Sequence, residues 1–192
     1  MLTIALIRPG ESEYDQQGRV QGNLDIPLSE NGQKQIDRIA GELQGEELEV
    51  VYAPATEPAW TTAQRLAAAW QVKAKELDDM ASLDCGLWQG LLVDEVKRKQ
   101  PKVFRQWQEN PAAVCPPEGE TLADAQQRVE HCLQRLKRKH KGGRIGLVLP
   151  EPLASLALAH FQPNEIRDIW RPCAERPAWE WIGNSQPAAV QQ

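Results

Sequence analysis

Three consecutive stretches decide how this chain folds: Leu6-Ile-Arg-Pro-Gly-Glu-Ser12, Gly18-Arg-Val-Gln-Gly22 and Asp25-Ile-Pro-Leu-Ser-Glu-Asn-Gly32. The residues that lead into them, Leu2 to Ile7, form a short apolar run that is β-branched in part, which predicts a buried strand. A polar, Gly-rich loop follows from Pro9 to Pro27. Ser29 then offers an N-cap, and apolar residues recur after it at helical spacing. The order strand, loop, helix is typical of an α/β protein.

The same alternation continues beyond the first helix. Leu48 to Ala53 predicts a second strand, and Pro58 is suited to the first turn of the next helix. Val72 to Leu77 is a weaker strand. This order predicts a parallel sheet covered by helices.

The second half of the chain interrupts the pattern and then resumes it. Residues 78–120 predict an insertion packed over the edge of the sheet and over any pocket there, with a short charged helix from Leu92 to Lys99. A capping-box-like start at Thr121 and Asp124 begins the clearest helix. The remaining predicted elements are a strand at Ile145–Leu149, a helix at Pro152–His160, a last strand at Ala178–Ile182 that is apolar on both faces, and a frayed tail at 185–192.

Composition narrows the class of protein. The 192 residues allow one sizeable core, so we predict a single three-layer α/β/α domain over residues 1–192 with a mainly parallel central sheet. The formal net charge of −5 argues against binding nucleic acid or membrane through the whole surface. The stretch after Met1 does not resemble a signal peptide and no window reaches the length of a membrane span, so we expect neither. Because the cysteines (Cys85, Cys115, Cys132 and Cys173) are scattered, we expect reduced thiols in a cytoplasmic protein without metal or cofactor.

The opening motifs resemble those of the histidine phosphatase (phosphoglycerate mutase-like) superfamily. In that family the first strand ends in Arg-His-Gly-Glu-Ser/Thr, and Gly-Arg-x-Gln-Gly and Asp-x-Pro-Leu-x-x-x-Gly follow. Leu83-Asp-Cys-Gly-Leu-Trp-Gln-Gly90 and Pro117-Glu-Gly-Glu-Thr121 are similar to two later family motifs. The resemblance runs through about Ala159 and implies a phosphoglycerate mutase-like fold.

The resemblance also implies a chemistry. A neutral histidine attacks phosphorus, two arginines and a second histidine bind the phosphoryl oxygens, and a glutamic acid protonates the leaving oxygen. In this chain the position of the nucleophile is Pro9, and that of the second histidine is Pro150. Proline has no side-chain lone pair and cannot attack phosphorus.

Two further positions of that constellation differ as well. The second arginine aligns with Pro58 when counted back from Thr62, or with Glu57 when counted forward from Pro54, and neither is basic. The acid position aligns with Ser82. The resemblance therefore implies an inactive protein that acts by binding. Two alternatives are an active phosphomonoesterase or mutase with a non-standard nucleophile, and a structural subunit that forms homo-oligomers.

Arg8 is the one inherited member of the constellation. With Asp15, Gln21 and Ser82 it is our predicted ligand-binding set, at the carboxyl end of the first strand, where open parallel sheets bind their ligands. One interpretation is a residual pocket for a small anionic or phosphorylated ligand. The other is that Arg8 pairs with Asp15 or Glu11 and closes the old site.

Substitute nucleophiles are few. Of the three histidines, His160 is expected to point away from the catalytic end, and His131 and His140 are expected to be structural or solvated. Glu151 is a conceivable carboxylate nucleophile, but with Asp15 it would repel a phosphoryl group.

Basic and aromatic residues suggest partners less directly. Lys97–Lys102 and Arg135–Lys141 fit either a docking surface for an acidic partner or a nucleic-acid backbone, or the solvated ends of helices. We favour the solvated ends for both runs. Trp107 either packs at an edge or lines a groove, whereas Trp88, Trp170, Trp179 and Trp181 are expected to pack in the core or at its edge. A protein partner and a homodimer through the last strand stay open, while nucleic acid and membrane are not expected.

Overall fold

The computed structural model describes residues 1–78, 80–110, 114–161 and 177–183, in which a central sheet carries helices on both faces. The strand order is β3-β2-β4-β1-β5. The first four strands in the chain are mutually parallel, and β5 lies antiparallel to β1. This confirms the predicted mainly parallel α/β sheet. The strands are β1 (Thr3–Ile7), β2 (Val50–Ala53), β3 (Lys73–Glu76), β4 (Arg144–Val148) and β5 (Trp179–Gly183).

The helices form the two outer layers. Helices α2 and α3 cover one face of the sheet, and α6 and α7 cover the other. The described helices are α1 (Glu13–Gln17), α2 (Glu30–Glu42), α3 (Ala59–Ala69), α4 (Val93–Lys99), α5 (Pro101–Glu109), α6 (Leu122–Lys139) and α7 (Leu153–Phe161), with a 3-10 turn at Gly86–Trp88.

Alternation along β1 divides the core into two layers. Ile4 and Leu6 point into the core beneath α6 and α7, whereas Ala5 and Ile7 point into the core beneath α2 and α3. All four side chains are almost completely buried. A strand buried on both faces is apolar throughout, which explains the continuous hydrophobic run of the sequence.

The predicted helix starts are confirmed by their caps. Ser29 Oγ accepts a hydrogen bond from the Gly32 amide at 3.0 Å, and Thr121 Oγ1 accepts one from the Asp124 amide at 3.1 Å. Each bond satisfies an amide that the helix itself leaves without a partner. Local side-chain chemistry therefore fixes where α2 and α6 begin.

The segment predicted as an insertion contains the 3-10 turn, α4 and α5, and no strand among its described residues. Trp107 lies on α5 and packs against Trp88, with ring centroids 5.2 Å apart. Trp88 is buried in the core, so this pair anchors the segment to the domain. Trp170, Cys173 and the tail at 185–192 lie outside the described residues.

Gly32 allows the loop after β1 to lie directly on the start of α2. A Cβ at Gly32 would overlap the carbonyl oxygen of Glu11, and one at Gly10 would come within 2.6 Å of the carbonyl oxygen of Gly32. We expect Gly32→Ala to lower the free energy of unfolding by about 2 kcal/mol or more, because backbone atoms have to move apart. Gly41→Ala in the same helix meets nothing within 4 Å, and we expect it to raise stability by about 0.5–1 kcal/mol. Urea denaturation of both variants checks this, and equal effects would contradict the close approach.

His140 closes the end of α6 against the sheet. Its Nε2 lies 3.0 Å from the Tyr52 hydroxyl, and Nδ1 lies 4.0 Å from a Glu49 carboxylate oxygen. Burial lowers the pKa of His140, Glu49 opposes the shift, and Lys139 and Lys75 reinforce it. The structure therefore confirms a structural role for this histidine.

A lowered pKa makes stability depend on pH. Because the unfolded chain binds the proton more readily than the folded one, the His140 contribution is fully present above about pH 6.5 and is lost as pH falls through the folded-state pKa. We expect Tm to fall between pH 7.5 and pH 5.5 by less in His140→Gln than in the unmodified protein. His131→Gln, at an exposed position of α6, is the matched control. An identical pH dependence in all three proteins would contradict this role.

No helix in the described ranges combines the length and the apolar character that crossing a membrane requires.

Candidate functional site

The site is built where β1 and β4 end side by side. Ile7 is paired in parallel with Val148, and the Leu149 amide donates to the Ile7 carbonyl at 3.0 Å. Arg8 and Pro9 leave β1 at this edge, and Pro150 and Glu151 leave β4. The two prolines at the expected histidine positions therefore follow neighbouring strands.

Arg8 is held by two carboxylates and a carbonyl. Its Nε donates to Glu151 Oε1 at 2.7 Å, and its Nη1 donates to Glu180 Oε1 and to the Pro177 carbonyl, both at 2.8 Å. The Arg8 side chain is 9% exposed, and those of Glu151 and Glu180 are 16% and 24% exposed. Burial alone would lower the pKa of Arg8, but the two carboxylates outweigh it and raise that pKa, so the guanidinium keeps its charge.

Glu151 is positioned from its other side by α7. Its Oε2 accepts hydrogen bonds from the Ser155 hydroxyl at 2.7 Å and the Ser155 amide at 3.2 Å. One carboxylate oxygen thus faces Arg8, and the other faces the first turn of the helix. This arrangement fixes the carboxylate rotamer beside the guanidinium.

The second interpretation, in which Arg8 pairs with Asp15 or Glu11, is wrong about the partners. Asp15 Oδ2 accepts from the Ser12 amide and hydroxyl, both at 2.8 Å, and completes a capping box for α1. Glu11 Oε1 accepts from the Ser29 hydroxyl at 2.7 Å. Ser12, three residues from Asp15, and Ser29, 18 residues from Glu11, bind these two carboxylates. The partners of Arg8 come from the far end of the chain instead.

Gln21 and Ser82 lie in different parts of the edge. The Oε1 atom of Gln21 lies 2.7 Å from the Ser12 hydroxyl, and its Nε2 donates to the Glu57 carbonyl at 3.0 Å. Ser82 Oγ donates to the Glu151 carbonyl at 3.2 Å. Among the described contacts, therefore, Ser82 adjoins the Arg8–Glu151 pair, and Gln21 instead joins the first loop to the start of α3.

Pro58 is linked to the loop after β1 by hydrogen bonds of Thr62. The buried Thr62 hydroxyl donates to the Pro58 carbonyl at 2.8 Å and accepts from the Gly10 amide at 3.1 Å. The start of α3 therefore lies against the residue after Pro9. Glu57, the other residue aligned with the second arginine, accepts from Thr61 Oγ1 at 2.7 Å.

Glu180 and Ser155 are the site residues that sequence reasoning missed. The last strand was expected to be apolar on both faces, but its one carboxylate contacts Arg8. A lone charged residue inside an apolar strand is a signal that could have found Glu180, since a buried charge requires a partner. Ser155, four residues after Glu151, lies in the first turn of α7.

The Cys85 thiol and two of the histidines, His131 and His160, do not join this edge. Burial, reinforced by Asp84 and Glu120, raises the pKa of the Cys85 thiol to about 12, so that thiol is inert as a nucleophile. His160 Nε2 lies 3.4 Å from Lys137 Nζ, away from Arg8, and His131 is exposed. Within the described residues no cluster of three His, Cys, Asp or Glu side chains is arranged to hold a metal.

Proteins that are similar in sequence to this chain include several named as phosphatases. The chain is 39% identical over 140 residues to phosphoserine phosphatase 1 of Hydrogenobacter thermophilus, covering 73% of this chain and 66% of that protein. It is 32% identical over 149 residues to a metal-independent phosphoserine phosphatase of Arabidopsis thaliana, covering 76% and 62%. The matched part thus spans about two thirds or less of these relatives.

These names contradict the prediction that the protein is catalytically inactive. An active phosphatase, our alternative, has the better support, and on this comparison the main prediction is wrong. The correspondence of Pro9, Pro58, Ser82 and Pro150 to family catalytic positions stays a prediction from the motifs. An active enzyme with prolines and a serine at these positions would need a nucleophile other than histidine.

Structure and sequence pattern agree on the family. The fold matches Bacillus stearothermophilus YhfR with a TM-score of 0.82 at 26% identity, over 90% of this chain and 85% of the other. The pattern described as "Histidine phosphatase superfamily (branch 1)" matches residues 4–182. The resemblance seen in the opening motifs is confirmed: the chain belongs to the histidine phosphatase superfamily.

Proposed function

We propose that this chain hydrolyses phosphate monoesters at the carboxyl edge of β1 and β4, with Glu151 in place of a histidine nucleophile. The observation that carries the proposal is the Arg8–Glu151 pair, in which a phosphoryl-binding cation and a nucleophilic carboxylate lie 2.7 Å apart. Membership of the superfamily and the names of the relatives support the reaction class. No other carboxylate follows the ends of these two strands as closely.

The reaction has two balanced steps. A Glu151 carboxylate oxygen attacks phosphorus, the bond from phosphorus to the ester oxygen breaks, and the alkoxide or phenoxide leaves and takes a proton from water. Water then attacks the phosphorus of the acyl phosphate, the bond to Glu151 breaks, and inorganic phosphate and a free carboxylate result. Carboxylates act as nucleophiles toward phosphorus in this way elsewhere.

Arg8 has to exchange one partner for this reaction. Its Nε bond to Glu151 would move to a phosphoryl oxygen, while Glu180 and the Pro177 carbonyl keep Nη1 in place. The second oxygen of Glu151 remains held by Ser155. The guanidinium then stabilises the charge that develops on the phosphoryl oxygens.

The weak point of this site is its charge. One guanidinium lies between two carboxylates, so the cluster carries one net negative charge and repels a phosphate dianion. The second pKa of a phosphate monoester is about 6, and the monoanion that prevails below it is repelled less. Substrate is therefore bound better on the acidic side of neutrality.

These features predict an unusual substrate profile. Ser82, at the expected position of the acid, is a poor proton donor, so we expect p-nitrophenyl phosphate to be hydrolysed about 100-fold or more faster than O-phosphoserine. We also expect kcat/KM for the aryl ester to rise about tenfold from pH 8 to pH 5.5. Steady-state assays of both esters across this range measure the effects. Equal rates for the two esters, or an alkaline optimum, would contradict the proposed site.

Location and association are separate proposals. A cytoplasmic location, a protein partner and a homodimer through β5 stay predictions from the sequence.

A further inference from the structure

The basic run Arg135–Lys141, at the carboxyl end of α6, has no part in the proposed reaction. It borders a cavity of about 230 Å³ at the amino end of β1, the opposite end of the strand from Arg8. Lys137, His140 and Lys141 form its polar rim, and Leu2, Ile4 and Phe161 are its apolar lining. We call it the basic cavity. At about 3.3 Å per residue, Ile4 and Arg8 are separated by roughly 13 Å along the chain.

The lysines of this region are oriented by aromatic rings. Lys137 Nζ lies 4.4 Å from the centroid of the Phe161 ring and 3.4 Å from His160 Nε2. Lys139 Nζ lies 5.2 Å from the centroid of the Tyr52 ring. Contacts of this kind hold an ammonium group in place without neutralising its charge.

Carboxylates do not neutralise these charges in the described part of the chain. Among the carboxylates that the structure describes, none lies within 4 Å of Lys137, Lys139 or Lys141, whereas the nearby Arg144 pairs with Glu46 at 2.6 Å. The carboxyl ends of α6 and α7 each contribute a partial charge of about −0.5. The three positive charges of Lys137, Lys139 and Lys141 exceed the combined negative charge of the two helix ends. Interaction with the helix dipoles therefore does not account for all three lysines.

We propose that the basic cavity binds a small organic anion of the phosphate or phosphonate class through an apolar group and an anionic head. The apolar group would lie on Phe161 and Leu2, which are only partly buried, and the head between Lys137 and Lys141. A cavity of this volume holds a single ring with its phosphate and not an extended polymer, so a nucleic acid or an acidic protein fits it less well. The site is independent of the proposed reaction, because it lies at the other end of β1.

Phenylphosphonate is a suitable probe, since it carries a ring and an anionic head and has no ester bond to hydrolyse. Isothermal titration calorimetry of the full chain at low ionic strength measures its affinity. We expect saturable binding that weakens about tenfold or more in Lys137→Gln/Lys141→Gln. The matched control Lys97→Gln/Lys102→Gln removes the same charge from the other basic run and is expected to leave the affinity unchanged.

Arg8→Gln separates this site from the catalytic edge. The proposal holds if phenylphosphonate binds Arg8→Gln as it binds the unmodified protein, whether or not the protein hydrolyses esters. It is overturned if binding is not saturable, if both lysine pairs weaken it equally, or if Arg8→Gln abolishes it. The last result would place the probe at the Arg8–Glu151 pair.

Discussion

Arg8→Met is expected to lower the free energy of unfolding by about 3 kcal/mol, because it leaves Glu151 and Glu180 near one another without their common cation. The Arg8 side chain is 9% exposed and its two partners are mostly buried, so water compensates the loss only in part. Methionine retains much of the aliphatic volume, and the effect therefore reports on charge. Urea denaturation at pH 7 measures it.

Two further variants show whether the loss comes from the carboxylates. Adding Glu151→Gln and Glu180→Gln to Arg8→Met removes the repulsion, and we expect more than half of the lost stability to return. Arg65→Met breaks the Arg65–Asp37 pair, which is also 2.8 Å long but solvent-exposed, and is expected to cost less than about 1 kcal/mol. An equal loss of unfolding free energy in Arg8→Met and Arg65→Met would mean that the buried cluster of Arg8, Glu151 and Glu180 stabilises the fold no more than an exposed ion pair does.

Glu151→Gln is expected to have the largest effect on activity. An amide cannot form the acyl phosphate, so hydrolysis of p-nitrophenyl phosphate should fall by about 1000-fold or more. Circular dichroism and Tm establish that the variant is folded. Hydroxylamine added during turnover should convert the acyl phosphate to a hydroxamate, and mass spectrometry of peptides locates it at residue 151.

Glu180→Gln is the matched control for this variant. Glu180 contacts Arg8 as closely as Glu151 does, at 2.8 Å against 2.7 Å, but on Nη1 and not on Nε. Its neutralisation removes repulsion toward the substrate, so we expect a lower KM with kcat retained within about tenfold. If the two glutamine variants lose activity equally, Glu151 has no distinct role as nucleophile.

The strand and helix pattern could be predicted because its causes are local or periodic. β1, β2 and β4 are buried and apolar, and the caps at Ser29 and Thr121 are formed with residues three positions away. The family resemblance further implied how these strands and helices are connected in the fold. Both depend on residues that are close together in the sequence.

The partners of Arg8 could not be found in this way. Glu151 and Glu180 are 143 and 172 residues distant, and only the closing of β4 and β5 around β1 brings them together. Asp15 and Glu11 were nearer in sequence, but nearby hydroxyls of Ser12 and Ser29 satisfy them first. Proximity in sequence is therefore a poor guide to the partners of Arg8, and the motifs alone do not show that Glu151 lies against it.

The most direct test of this account is the turnover of p-nitrophenyl phosphate at pH 5.5 by the protein and by Glu151→Gln and Arg8→Gln, all purified identically. Identical purification excludes a contaminating phosphatase as the source of any difference. We predict measurable turnover by the unmodified protein and its loss in both variants. Absence of turnover in the unmodified protein, or turnover that both variants retain, would contradict phosphate monoester hydrolysis at the Arg8–Glu151 pair.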